Sequence, residues 1–223
     1  IYTTEHTLSL HDALPICVET LEDRRGWAGQ VVAEYVDPAG QFAFGTYDVA
    51  PLPREGGGVR PEDVLAANLL SLRLGWREVI PLFAAGDGPA QRLRAALDDA
   101  VVAMRSAPNF EDHEDEASLT DAYGELAAAN EATRGVEGWT PVTVSKVLHR
   151  FAPHAVPIVD SRVLAFYDVA RGQGAELRAR MWRDVRANLD WLRPLAAAHT
   201  TPDGRPVTVL WVADIIIWTP PPK

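Results

Sequence analysis

The stretch at 139–167, WTPVTVSKVLHRFAPHAVPIVDSRVLAFY, constrains the fold most, because it reads as a helix, a short apolar run and a second helix opened by a single acid, Asp160. Thr140 offers a hydroxyl to the free amides of a helix start, and Pro141 has the fixed φ and missing N–H of a first helical residue. A helix is therefore predicted over 142–151, with Val144, Val147, Leu148 and Phe151 inward and Lys146 and Arg150 outward. Pro153 and Pro157 then force an extended connection. Beyond it, Asp160 or Ser161 caps a helix over 162–170.

Helical periodicity continues through nearly all the rest of the chain. Val18, Leu21, Trp27, Val31, Val32 and Tyr35 suggest one or two short helices, ended by the turn Asp37-Pro38-Ala39-Gly40. Phe42 and Phe44 alternate, over a run too brief for a strand, and the REGGG segment to Gly58 reads as loop. Pro61 sits in the first turn of RPEDVLAANLLSLRL, where Glu62 and Asp63 complement the positive helix end and Gly75 closes it. A short helix at 76–83 is expected to break near Pro81, and Gly86-Asp87-Gly88 leads into a helix over 89–104. Ser118 with Asp121 signals the start of a helix over 119–133 that Gly135 stops.

Over 175–198 the apolar residues Leu177, Met181, Trp182, Val185, Leu189 and Leu192 share one face, Arg183, Arg186 and Arg193 the other, and Pro194 bends or ends the helix. The segment 207–218, VTVLWVADIIIW, is ambiguous, since its β-branched residues favour a strand and its length with Pro206 permits a buried helix. Helix is preferred because no second strand is present to pair with it. The expectation is an all-α protein with a single helical domain over 18–223.

Residues 1–16 resemble one reading frame of a short-read sequencing adapter: Ile1, Tyr2 and His6 through Ile16 match its fixed part, Thr4 and Glu5 fall where a sample index lies, and Cys17 straddles the junction. On that reading 1–17 is a non-native segment of an environmental, metagenomic coding sequence cut at its 5′ end, and it carries no function. With Cys17 set aside no cysteine remains, which excludes disulfides, cysteine zinc sites and cysteine-ligated clusters and leaves a cytoplasmic location as the expectation. The longest apolar run is too short to span a bilayer, so no membrane partner is expected.

Charge is unevenly placed. Residues 18–133 hold 9 basic and 21 acidic side chains, whereas 134–223 hold 12 and 8, so only the C-terminal portion offers a basic surface to phosphate. The acidic run Glu111 to Glu116 reads as a solvated loop, without the alternating ligands and central glycine of a calcium site. Phosphate-binding loops, dinucleotide fingerprints, nucleophile elbows and HExxH are absent. His113, His149, His154 and His199 have no ligand-like spacing, so neither metal nor cofactor is expected.

The PIVDSRV motif at 157–163, downstream of a helix and hairpin, resembles the site of helix-hairpin-helix DNA glycosylases, where an apolar run ends in Val-Asp and opens another helix. The resemblance implies that fold, with Asp160 as a catalytic aspartate assisting departure of a flipped, damaged base, and with Lys146, His149, Arg150 and Arg162 facing nucleic acid. The hairpin departs from the family: Gly138-Trp139-Thr140-Pro141 has one glycine and a proline with no N–H to give, and the lysine nucleophile of bifunctional members would fall near Val142. The chain is also similar to an actinobacterial family known only as a domain of unknown function, through PEDVLAANLLS, SKVLHR, PIVDSRV and DIIIW in that order.

Two readings follow. In one, the chain is a non-catalytic module in which Asp160 is a cap and a protein or small ligand is bound. In the other, it is a monofunctional glycosylase-like enzyme that uses Asp160 and meets DNA through its C-terminal basic half.

Overall fold

The computed structural model describes residues 19–37, 39, 47 and 56–221. The adapter-like segment, Val18, Phe42 and Phe44 lie outside the described residues, as do Pro38 and Gly40 of the expected turn. Among the described residues there is no strand, only an isolated bridge between Thr200 and Pro206, and the expected all-α class holds. The helices are α1 (Leu21–Val36), α2 (Pro61–Ala66), α3 (Trp76–Phe83), α4 (Pro89–Ser106), α5 (Glu116–Ala122), α6 (Gly124–Ala132), α7 (Pro141–His149), α8 (Ser161–Phe166), α9 (Gly174–Ala187), α10 (Leu189–Ala197) and α11 (Val209–Trp218).

Two groups of helices share one continuous apolar core. In the first, α4 packs along α6 and also touches α3 and α7; in the second, α11 is surrounded by α1, α8, α9 and α10. The ambiguous C-terminal segment is a helix because it is enclosed by other helices. Every residue from Val209 to Ile217 is buried, and Thr208 caps it by accepting the Trp211 N–H at 3.2 Å. The first helix is fastened to the last: Arg24 of α1 donates to the carbonyls of Ile216 at 2.7 Å and Ile217 at 3.0 Å, satisfying oxygens that a helix end leaves free.

Several expected boundaries move, each for a local reason. The helix opened by Pro61 tightens into a 3-10 turn at Ala67–Leu70 and stops at Ser71, in the left-handed region at φ 64°. Asn68 fixes that stop, donating to the Leu74 carbonyl at 2.8 Å and accepting the Leu74 N–H at 2.9 Å. Pro81 does not break α3, which runs through it to Phe83.

The helix expected over 119–133 begins earlier and is cut in two. Asp115 is its cap, accepting the Ser118 N–H at 2.8 Å, and the cut falls at the buried Tyr123, whose hydroxyl donates to Ala155 O. The helix expected over 175–198 is likewise divided, at Asn188 rather than Pro194. The Asn188 amide donates back to Asp184 O at 2.8 Å, a local bond that competes with the helical ladder, whereas Pro194 lies within α10. The helix after Asp160 ends at Phe166, shorter than expected.

Candidate functional site

The helix α7 starts as its sequence dictates, with Thr140 accepting the Thr143 N–H at 3.3 Å and Pro141 in first position. Its surroundings differ from expectation, because α2, α4, α6 and the 3-10 turn all pack against it and every residue from Thr143 to His149 is buried. Lys146 and Arg150 therefore do not project outward, a correction to the amphipathic reading. Lys146 Nζ donates to Leu70 O at 2.6 Å, and burial lowers its pKa while the Asp160 carboxylate opposes the shift. Arg150 donates to Tyr47 O at 3.1 Å and lies over the Tyr47 ring at 5.0 Å.

His149 is also enclosed. Its Nδ1 lies 2.7 Å from Val156 O, so that nitrogen carries the hydrogen, and its ring meets Trp211 edge-on at 5.7 Å. Its Nε2 has no hydrogen-bond partner among the described residues, and burial pushes the imidazole down to about 4. Of the four side chains expected to face nucleic acid, Arg162 alone is exposed, and its guanidinium donates to Trp218 O and stacks over the indole at 4.6 Å.

Between α7 and α8 the extended connection is held by side chains. Ser145 Oγ accepts the Val159 N–H at 3.0 Å, and Asp214 Oδ2 of α11 accepts the Ile158 N–H at 3.0 Å. This places Asp160 at the start of α8, where Oδ1 accepts the N–H groups of Arg162 at 2.9 Å and Val163 at 3.0 Å. Asp160 is thus the cap, settling the choice between it and Ser161.

Asp160 also lines a cavity of about 510 Å³. Ser161, Arg162, Arg171 and the left-handed Ser71 form exposed rim positions, Asp160 and Trp218 are half-buried, and Tyr35, Lys146, Ile158, Trp211 and Asp214 form the buried wall. A single hollow thus joins two carboxyl groups, an ammonium, two guanidinium groups and three large aromatic side chains, a composition suited to fixing a small organic molecule.

Asp214 was not singled out by sequence reasoning, yet it is the most unusual group in this hollow. It is 5% exposed, and Oδ1 is buried without a hydrogen-bond partner among the described residues, a state that costs on the order of 1–3 kcal/mol. Burial drives its pKa well above the ordinary carboxylate range, and Asp160 adds to the shift. The signal was an acid alone in the otherwise apolar VLWVADIIIW, since Asp is almost never buried unless paired.

The acidic run Glu111 to Glu116 keeps Asp112, Glu114, Asp115 and Glu116 exposed, as expected of a solvated segment, and it lies along the arginine face of α9 and α10. Asp112 pairs with Arg193 at 2.9 Å, Glu116 pairs with Arg183, and Arg186 donates to the carbonyls of His113 and Glu114, while Glu111 turns inward and is buried. This folds acidic charge from the first half of the chain onto the basic half.

His154 Nε2 contacts Ala107 O at 3.1 Å, and His113 is buried beside Tyr123 with ring centroids 6.1 Å apart. Among the described residues no group of three or more His, Cys, Asp or Glu is placed to hold a metal, and no helix is long and apolar enough to cross a membrane.

The hairpin between α6 and α7 contains Gly135 and Gly138, both at positive φ. There is no room for a Cβ at Gly138 because Glu78 Cγ of α3 fills the space, and the Trp139 indole donates to Glu78 O at 3.0 Å. The turn is closed against α3 and an acidic side chain.

No curated protein and no solved structure matches the chain. One family model matches residues 28–220, nearly all of the helical body, and the chain belongs to that family, the family of unknown function DUF6308.

Proposed function

We propose that this chain is a non-catalytic, small-molecule-binding protein, a single helical domain over 18–223, whose site is the cavity between the two helix groups. The observation that carries the reading is the joining of Asp160, Lys146 and Asp214 with Tyr35, Trp211 and Trp218 around about 510 Å³. Ligand sites are concave, mostly apolar and furnished with a few convergent polar groups, and this hollow has those properties. The helix-hairpin-helix glycosylase-like fold remains part of the proposal, supported by the order α6, hairpin, α7, extended run and Asp160-capped α8. Screening small aromatic fragments by NMR tests the reading: binders perturb the indole signals of Trp211 and Trp218, and Trp218→Ala weakens them. A screen in which no fragment reaches those signals refutes it.

A second reading, a monofunctional glycosylase-like enzyme, is favoured by one observation: Asp160 is both anchored by two amides and open to the cavity. Against it, Lys146, His149 and Arg150 are buried, the hairpin glycine faces Glu78, and the basic face of α9 is matched by the acidic run. DNA affinity rests on cations that reach phosphates, and few remain. The expectation is no base excision on damaged duplex and no abasic-site binding at low salt. Excision by the parent protein that disappears in Asp160→Asn, whose amide keeps the cap, would reverse the ranking.

A further inference from the structure

The cavity holds three cationic side chains, Lys146, Arg162 and Arg171, against two carboxyl groups, Asp160 and Asp214, so its formal charge is positive whether Asp214 is ionised or not. The three cations differ in what they already hold. Lys146 is buried, donates to Leu70 O and feels the charge of Asp160. Arg162 gives Nη1 to Trp218 O and lies over the indole. Arg171 is exposed on the rim and has no hydrogen bond, ion pair or ring contact among the described residues. The backbone that carries it is nonetheless fixed. The turn 170–173 is closed by the Gln173 N–H on Ala170 O and by the Ala170 N–H on Gln173 Oε1, both at 3.2 Å, and Gly172 supplies the positive φ of 91° at its third position. Arg180 of α9 anchors the preceding chain by donating to Tyr167 O at 2.9 Å.

The chemistry of an occupant follows from what the hollow still offers. Leu69, Leu72, Val142 and Trp218 are half-buried, so apolar surface remains open beside the rim, whereas Trp211 and Asp214 are closed off behind it. A cationic occupant meets three cations, and a small inorganic anion leaves the apolar surface in water. A neutral ring covers that surface and leaves Arg171 unanswered. A ring that carries an anion meets both. One guanidinium with all its donors free matches the two coplanar oxygens of one carboxylate. A phosphate brings a second charge and a third oxygen, for which the committed Arg162 has fewer donors and to which Asp160 in the same hollow is opposed.

We propose that the cavity takes an aromatic carboxylate, with the acid paired to Arg171 at the rim and the ring laid on the apolar surface of Leu69, Leu72, Val142 and Trp218. This rests on the small-ligand reading and names the ligand class. Arg171 is then the residue that selects an acid, and the apolar surface is what selects a ring.

The test titrates four probes of one shape into the full chain and follows the Trp211 and Trp218 indole signals by NMR: 2-naphthoate, its neutral amide 2-naphthamide, the cation 2-naphthylmethylamine, and 2-naphthyl phosphate. Wild type binds 2-naphthoate roughly fivefold or more tightly than 2-naphthamide, and added salt narrows that gap. The amine binds more weakly than the amide, and the phosphate no more tightly than the carboxylate. Arg171→Gln removes no bond from the fold, so it melts with wild type; it brings 2-naphthoate to within about twofold of 2-naphthamide and leaves the amide unchanged. Equal binding of acid and amide by wild type, or an acid preference that survives in Arg171→Gln, overturns the assignment and leaves the cavity as a binding site for neutral rings. Tighter binding of the phosphate overturns the choice of a carboxylate. Failure of all four probes to reach the indole signals overturns the small-ligand reading as well.

Discussion

The helices α7 and α9 carry cations at helical spacing and read alike, yet they use them in opposite ways. On α9 and the adjoining α10, Arg183 and Arg193 stay about half exposed and pair with Glu116 and Asp112. On α7 there is no solvent face, so Lys146 and His149, with the following Arg150, turn onto the backbone oxygens of Leu70, Val156 and Tyr47. Exposed pairs shield charge at little gain, whereas the enclosed basic side chains, His149 among them as a neutral ring, donate to backbone carbonyls between helices. The contrast shows that a cation on a periodic helix marks an outer face only if the helix has one.

The largest effect is expected at Arg150. Arg150→Ala removes the hydrogen bond to Tyr47 O and the stacking on its ring, and it should lower unfolding stability by about 3 kcal/mol in urea denaturation. A loss no larger than that of an exposed arginine would erase the distinction between the two helices.

His149 sharpens the contrast through pH. Its folded-state pKa of about 4 lies below the ordinary 6.5, so as pH falls through that interval the unfolded chain binds a proton that the folded chain refuses, and stability is lost. The difference reaches roughly 2 kcal/mol at pH 5. Its ring should stay neutral by NMR until about pH 4, and His149→Gln should flatten the acid limb of the stability curve. Asp214 acts with the opposite sign: its raised pKa makes the folded chain the better proton binder, so its contribution falls as pH rises above the usual carboxylate value. An imidazole that titrates near 6.5 in the folded protein would contradict its enclosure. The smallest effect belongs to Arg183→Ala, whose exposed pair with Glu116 should leave the melting midpoint unchanged within error at physiological salt.

What the sequence made legible was local. Thr140 with Pro141, Pro61, Pro89 and Asp160 are helix-start chemistry, and each stands at a helix start in the structure. The helical state of the last segment followed from a global argument, the absence of a pairing strand. Tertiary context decided the rest. The division at Asn188 depends on a side chain that bonds back to Asp184 O, and the enclosure of α7 depends on helices distant in sequence. The cavity was hidden because its parts come from Tyr35, Leu70, Lys146, Asp160 and Asp214, with no spacing to announce them.

The clasp of Arg24 on the carbonyls of Ile216 and Ile217 has a consequence for biosynthesis. A ribosome delivers α1 nearly the whole length of the chain before the helix it must grip, and contacts of such separation are slow to close. The pocket wall bearing Trp211 and Asp214 belongs to that late helix. The hollow is therefore complete only when these two distant segments have met, which ties the receptor to one long-range contact of the fold.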